Sequence, residues 1–225
     1  MRREPTDALK GDRYMIGQMA DIYIQSIQSP FDNPDTARLG ISVVMRADAM
    51  GLLAPRAIDR LDLAEWERVA RDVSRAGIGQ GLFVGHAPAT ALEPNRFRTM
   101  LEHVNEALEA SPVPAAEWPA LQRVLGPALL ARLLDISTVS LRRYQSGARA
   151  TPDDVGVRLH VLALIVGDLA GAYNDAGIRR WFVRPRTVLG NRAPADILTS
   201  GWRPEDPGPR QVRDLANALT ASPAT

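Results

Sequence analysis

One apolar stripe constrains the fold of this chain more than any other feature. Between Val155 and Ala176, the residues Leu159, Leu162, Ala163, Val166, Leu169, Ala170 and Tyr173 fall on one continuous helical face. So wide a stripe has to be covered, either by other helices of a core or by a second copy across a dimer seam. Shorter patterns of the same period lie along the rest of the chain. The spacing predicts a helix over 14–27 from Ile16, Met19, Ala20, Tyr23 and Ile27, and a second over 62–76 from Leu63, Trp66, Val69, Ala70 and Val73. A third spans 94–110 through Phe97, Met100, Leu101, Val104 and Leu108, and a last lies near 211–219. Residues 41–53 are ambiguous: Ile41–Met45 could be a short strand, and Ala49–Leu53 could belong to a helix. Prolines and glycines cut these rods apart at Ser29–Pro34, Gly77–Gly81 and Ser111–Ala116. The expected fold class is all-α or mostly α.

Composition narrows the chemistry. Across 225 residues there is no cysteine, which excludes disulfides, thiolate-bound metals and thiol nucleophiles. The totals of 27 basic and 26 acidic side chains hide an asymmetry. Residues 1–110 carry 13 basic and 16 acidic groups, and residues 111–225 carry 14 and 10, so a polyanionic partner is expected on the second half. The longest stretch free of Asp, Glu, Lys and Arg, Gly77–Leu92, holds glycines, a proline and His86, so no membrane span is expected. The Met-Arg-Arg-Glu-Pro start has no apolar run behind it, so the expected location is cytoplasmic. Two prolines in Ser111-Pro-Val-Pro-Ala-Ala mark a linker at 111–116. It divides a mainly helical N-terminal domain, 1–110, from a helical region at 117–150 and a C-terminal helical domain, 151–222, that carries the long stripe.

The segment Pro127–Gly147 carries most of the functional signal. Pro127 suits the first turn of a helix, and Leu130, Leu133 and Leu134 give that helix its buried side. Asp135 stands in the turn, Ile136 plugs the corner, and Ser137 is a suitable N-cap for the next helix. Leu141 and Tyr144 then point inward, and Gly147 closes the helix. This order is that of a helix-turn-helix, whose second helix enters the major groove. The candidate DNA-binding residues are Ser137, Thr138, Ser140, Arg142, Arg143, Gln145 and Arg149. Hydroxyls near the helix start can reach base edges or phosphates, and arginines can neutralise phosphate or grip guanine with two hydrogen bonds. The plainer reading is a surface corner with a polar face. Because one recognition helix reads few base pairs, a homodimer on double-stranded operator DNA is expected.

Behind the long stripe come Trp181-Phe182, Pro185, Leu189-Gly190, Pro194 and Ile197-Leu198. This order, following a helix-turn-helix and a long helix, resembles the Xre/MbcA/ParS antitoxin family over about Trp118–Leu219. Asn191 stands where that family usually has a second glycine, and Asn also tolerates left-handed geometry. The resemblance implies an antitoxin that neutralises a RES-domain, NAD-consuming toxin and represses its own operon. It also implies toxin binding by the segment holding Trp181, Phe182, Pro185, Leu189, Gly190, Asn191, Pro194 and Leu198. The proline-rich insertion Gly201–Arg210 and the first 110 residues depart from the family pattern. The alternative is a stand-alone helix-turn-helix regulator whose first domain is a sensor or partner-binding module.

Other motifs fail on context. Gly77-x-Gly79-x-Gly81 follows a predicted helix, not a strand, so it does not meet the dinucleotide fingerprint. His86, His103 and His160 share no metal-ligand spacing, and His160 reads as a partly buried or surface residue. No nucleophile elbow or His-Glu-x-x-His helix occurs. Asp153-Asp154 reads as a capping pair, and Trp66 and Trp118 as core anchors. Neither an enzyme, a metal site nor a cofactor is expected.

Overall fold

Helix α6 (Asp153–Ala170) is buried on almost every side, and the other helices are arranged around it. A computed structural model describes residues 20–81 and 94–221 and is mostly helical. The order along the chain is β1 (Asp21–Ile27), α1 (Pro34–Ala49), β2 (Ala57–Leu61), α2 (Leu63–Arg75), α3 (Pro94–Glu109), α4 (Pro114–Leu134) and α5 (Thr138–Gln145). After α6 come α7 (Asp175–Val183), a 3-10 turn at Thr187–Leu189, the short α8 (Pro194–Ile197) and α9 (Pro207–Ala221). Helices α1, α4 and α9 pack on α6 and cover its apolar stripe within one chain. A dimer would therefore pair through a different surface. Among the described residues no single helix is long and apolar enough to cross a membrane.

Helices α1 and α6 approach each other closely in the core. A Cβ added to Gly167 would lie 2.7 Å from the Arg46 Cα, so only glycine lets the two backbones meet there. Beside this crossing, the buried Arg46 Nε donates to Asp168 Oδ1 at 2.8 Å, and its Nη1 donates to Asn105 Oδ1 on α3 at 3.0 Å. Burial pushes the Asp168 carboxyl up, against the pull of the Arg46 guanidinium. One cation thus ties α1, α3 and α6 together. Phe31, Trp66 and Phe97 seal the front of the core edge-to-face, with ring centroids 5.2–6.3 Å apart.

Several sequence expectations require correction. The helix expected over 14–27 is a strand where it is described, with residues 14–19 outside the described range. Asp21–Ile27 pairs in parallel with β2, an element the spacing does not predict. Tyr23 is 72% exposed and Ile27 43%, while Ile22 and Ile24 turn toward the core. The period of two has won over the period of 3.6, helped by the β-branched isoleucines. The possible strand at Ile41–Met45 lies instead inside α1, and the possible helix at 49–53 is turn beyond Ala49, where α1 ends. Asn33 caps α1 by accepting from the Asp35 amide at 2.8 Å, and Pro34 follows at the first position.

The expected linker does not separate two cores. Pro114–Ala116 form the first turn of α4, where a proline costs no hydrogen bond, and the buried residues of both halves belong to one core. A Cβ on Gly51, at φ 72°, would lie 2.4 Å from the Ala116 carbonyl oxygen, which shows how tightly the α1 end abuts that turn. The long helix also ends earlier than the 155–176 stripe suggests. It stops at Ala170; Asn174 then caps α7 by accepting from the Gly177 amide at 2.9 Å, and the axis bends by 118°. Tyr173 therefore packs against the core from a turn, not from the helix.

Gly167→Ala should lower stability by about 1–3 kcal/mol through overpacking at the α1–α6 crossing. Urea unfolding followed by circular dichroism reads this directly; an unchanged midpoint would show that the crossing yields without cost.

Candidate functional site

Gly126, at φ 74° and ψ 159°, breaks α4, and Pro127 starts its second segment. Leu130, Leu133 and Leu134 are buried on that segment. Asp135 then adopts left-handed geometry at φ 54°. Its amide donates to the Arg132 carbonyl at 3.1 Å, and the Ile136 amide donates to the Ala131 carbonyl at 3.0 Å. These two bonds form a Schellman ending, and half-buried Ile136 supplies its usual apolar contact. The axes of α4 and α5 bend by 117° across this turn.

Ser137 starts α5. Its Oγ accepts from the Ser140 amide at 3.1 Å, and the two serine hydroxyls share a 3.0 Å hydrogen bond. Leu141 and Tyr144 are buried beneath the helix, and Gly147, at φ 71°, follows its end. Tyr144 stacks on Trp118 with centroids 6.0 Å apart, and Trp118 Nε1 donates to Thr151 Oγ1 at 2.9 Å. The opposite face is open: Thr138, Arg142, Arg143, Gln145 and Arg149 are exposed, with Ser137 exposed and Ser140 half-buried. All seven candidate DNA-binding residues thus lie on the corner's outer side, though the two serines are engaged in the cap. Arg149 is held over the Tyr144 ring at 5.6 Å. Val139, 55% exposed on the first turn, sits on the same flank and was not in the predicted set. An apolar residue on an otherwise polar face was the available signal.

The corner is braced from behind. Trp202, in the proline-rich insertion, is buried and donates its Nε1 proton to the Leu133 carbonyl at 2.8 Å, satisfying a carbonyl in the last turn of α4. Arg132 reaches Asp196 on α8 at 2.7 Å. Deeper in, the base of α4 is tied to α6. His160 is buried, with Nδ1 2.6 Å from Glu117 Oε1 and Nε2 3.0 Å from the Glu109 carbonyl oxygen. His160 is thus a core linker, more enclosed than its spacing suggested. His86 lies outside the described residues.

The positions carried by the family resemblance divide into two groups. Trp181, Phe182, Leu189, Pro194 and Leu198 are buried, and Trp181 meets Phe182 edge-to-face at 5.2 Å. Pro185, Gly190 and Asn191 are exposed, and Gly190 at φ 64° and Asn191 at φ 59° are both left-handed. The Asn191 amide donates to the Arg186 carbonyl at 3.0 Å, closing a tight loop with an Arg186–Arg192 bridge. Most of the motif therefore folds the segment, while the surface it offers is made by Val183, 49% exposed, Val188, 71% exposed, and arginines around them.

A cleft of about 510 Å³ lies between the start of β1, the end of α1 and the α6–α7 turn. Asp48 stands in it, with its carboxyl pushed up to about 6, chiefly by burial and against the pull of Arg123. Arg123 bridges Asp48 at 3.6 Å and Asp175 at 3.5 Å.

No family model, curated protein or solved structure matches the chain.

Two stability measurements follow from this geometry. Asp135→Gly should stabilise the fold by about 1 kcal/mol, because glycine enters the left-handed region without a Cβ clash. A lower melting temperature for this variant would overturn that account of the turn. For Asp48, a native pKa above the unfolded value means that the native state holds the proton more tightly. Its contribution is full below pH 4 and is lost as pH rises through about 6. Relative to Asp48→Asn, the wild type should lose roughly 2–3 kcal/mol between pH 4 and pH 7. Parallel denaturation curves at all pH values would contradict this.

Proposed function

We propose that this chain is a DNA-binding regulator of the antitoxin type. It reads operator DNA through a helix-turn-helix formed by the second segment of α4 and by α5, and it neutralises a RES-type, NAD-consuming toxin through the segment Trp181–Leu198. The observation that carries the DNA reading is the outer face of α5. Thr138, Arg142, Arg143 and Gln145 are exposed together on a short capped helix, while Leu141 and Tyr144 hold it down. The Ser137 cap leaves the first turn free to approach the groove, and Arg142, Arg143 and Arg149 suit phosphate or guanine. The toxin-binding part rests on resemblance to the Xre/MbcA/ParS family. Its support is a compact Trp181–Phe182 module behind a long helix, with Gly190 and Asn191 in the conformation that the family's two glycines favour. The proposal includes a homodimer, a cytoplasmic location and no catalytic role.

A second reading, a stand-alone regulator with a sensing N-terminal half, is favoured by one observation. The cleft at Asp48 is lined by the first half and by α7, directly ahead of the Trp181 segment. A toxin encoded by the neighbouring open reading frame separates the two. Growth rescued by co-expression supports the antitoxin, and a harmless neighbour beside retained DNA binding supports the sensor.

For the DNA interface, Arg142→Ala with Arg143→Ala should weaken binding to the upstream operator duplex by about 1–3 kcal/mol per specific contact. The melting curve should be unchanged, since both side chains are exposed. Fluorescence anisotropy over a salt series checks this; undiminished affinity in a folded double variant would remove α5 as the reading helix.

A further inference from the structure

The proposed DNA-reading helix carries one exposed side chain that neither hydrogen bonding nor charge explains. Val139 is 55% exposed on the first turn of α5, the part of a recognition helix that contacts base edges. Its neighbours narrow what it can meet. The hydroxyls of Ser137 and Ser140 bond each other, and Ser137 Oγ also accepts from the Ser140 amide. The foremost surface of the helix is therefore left to Thr138 and Val139, both branched and both bearing methyl groups. Arg142 and Arg143 follow at three and four residues beyond Val139, the spacing that puts side chains side by side on one flank.

An isopropyl group gains nothing from a phosphate oxygen or from the donors and acceptors of a base edge. In the major groove the apolar feature of a base pair is the 5-methyl group of thymine. We infer that Val139 is a specificity-determining residue that reads a thymine methyl, next to the guanine or phosphate contacts of Arg142 and Arg143. The inference rests on the DNA-reading proposal and adds to it a base identity and the side chain that selects it. It also divides the labour on α5: the arginines supply affinity and register, and the valine makes one position prefer thymine over cytosine, which presents an N4 amino donor and no methyl group there.

The test uses the full-length protein. A bound consensus is selected from random duplexes, and each thymine in it is replaced in turn by deoxyuridine, which removes only the 5-methyl group. At one thymine per half-site the wild type should lose about fourfold in affinity, as expected for one buried methyl group. Val139→Ala should bind thymine and deoxyuridine duplexes equally at that position. Because Val139 is exposed and alanine favours helix, the variant should fold, and its melting curve serves as the control. Indifference of the wild type to every deoxyuridine replacement overturns the inference while leaving DNA binding intact. The same holds if Val139→Ala keeps the full sensitivity of the wild type. Selection of no duplex above non-specific affinity overturns the DNA-reading proposal, and this inference with it.

Discussion

The structure depends on the contact between α1 and α6 at Gly167. Because a glycine faces the Arg46 backbone, the two helices approach closely enough for Arg46 to reach Asp168 and Asn105 without water between them. A buried charge of this kind adds little net stability, since the cost of removing it from water offsets much of the attraction. What it adds here is definition, because the guanidinium has partners in only one arrangement of α1, α3 and α6. That arrangement makes the front half of the chain part of the same core as the back half. Residues 20–81 and 94–110 are therefore part of the common core and not an appended module.

The helical corner proposed to read DNA packs on the second half of the chain, with α5 against α4. Its geometry is set locally by the left-handed Asp135, the Schellman bonds and the Ser137 cap. Its orientation is set from behind, by Trp118 under Tyr144 and by Trp202 on the Leu133 carbonyl. Two tryptophans far apart in sequence thus hold one short helix outward. A recognition surface needs this combination, because exposed side chains can be placed accurately only when the backbone beneath them is fixed.

In the segment compared with the antitoxin family, folding separates the motif residues that pack from those that stay exposed. Trp181, Phe182, Leu189, Pro194 and Leu198 are buried and build the core of a small module. The loop they shape presents Val183, Val188 and arginines, which the motif does not include. Where a partner touches this module, these side chains and Pro185, Gly190 and Asn191 are the ones in reach.

Local chemistry made much of the fold legible in the sequence. The cap at Ser137, the breaks at Gly77 and Gly147 and the stripe on α6 act over a few residues, so their spacing was sufficient. The polar face of α5 was readable for the same reason, since Leu141 and Tyr144 leave only one side for the arginines. Tertiary packing decided the rest. Whether Asp21–Ile27 became a strand depended on β2, thirty-odd residues away, offering a paired edge. Pro114 could begin a linker or a helix, and the tight seat of the α4 turn against Gly51 settled which. The enclosure of His160 by Glu117 and Glu109, and the conversion of motif residues into core, likewise arise from elements that meet only after folding. Periodicity tells which face of a rod is apolar, but only the neighbouring rods determine what covers it.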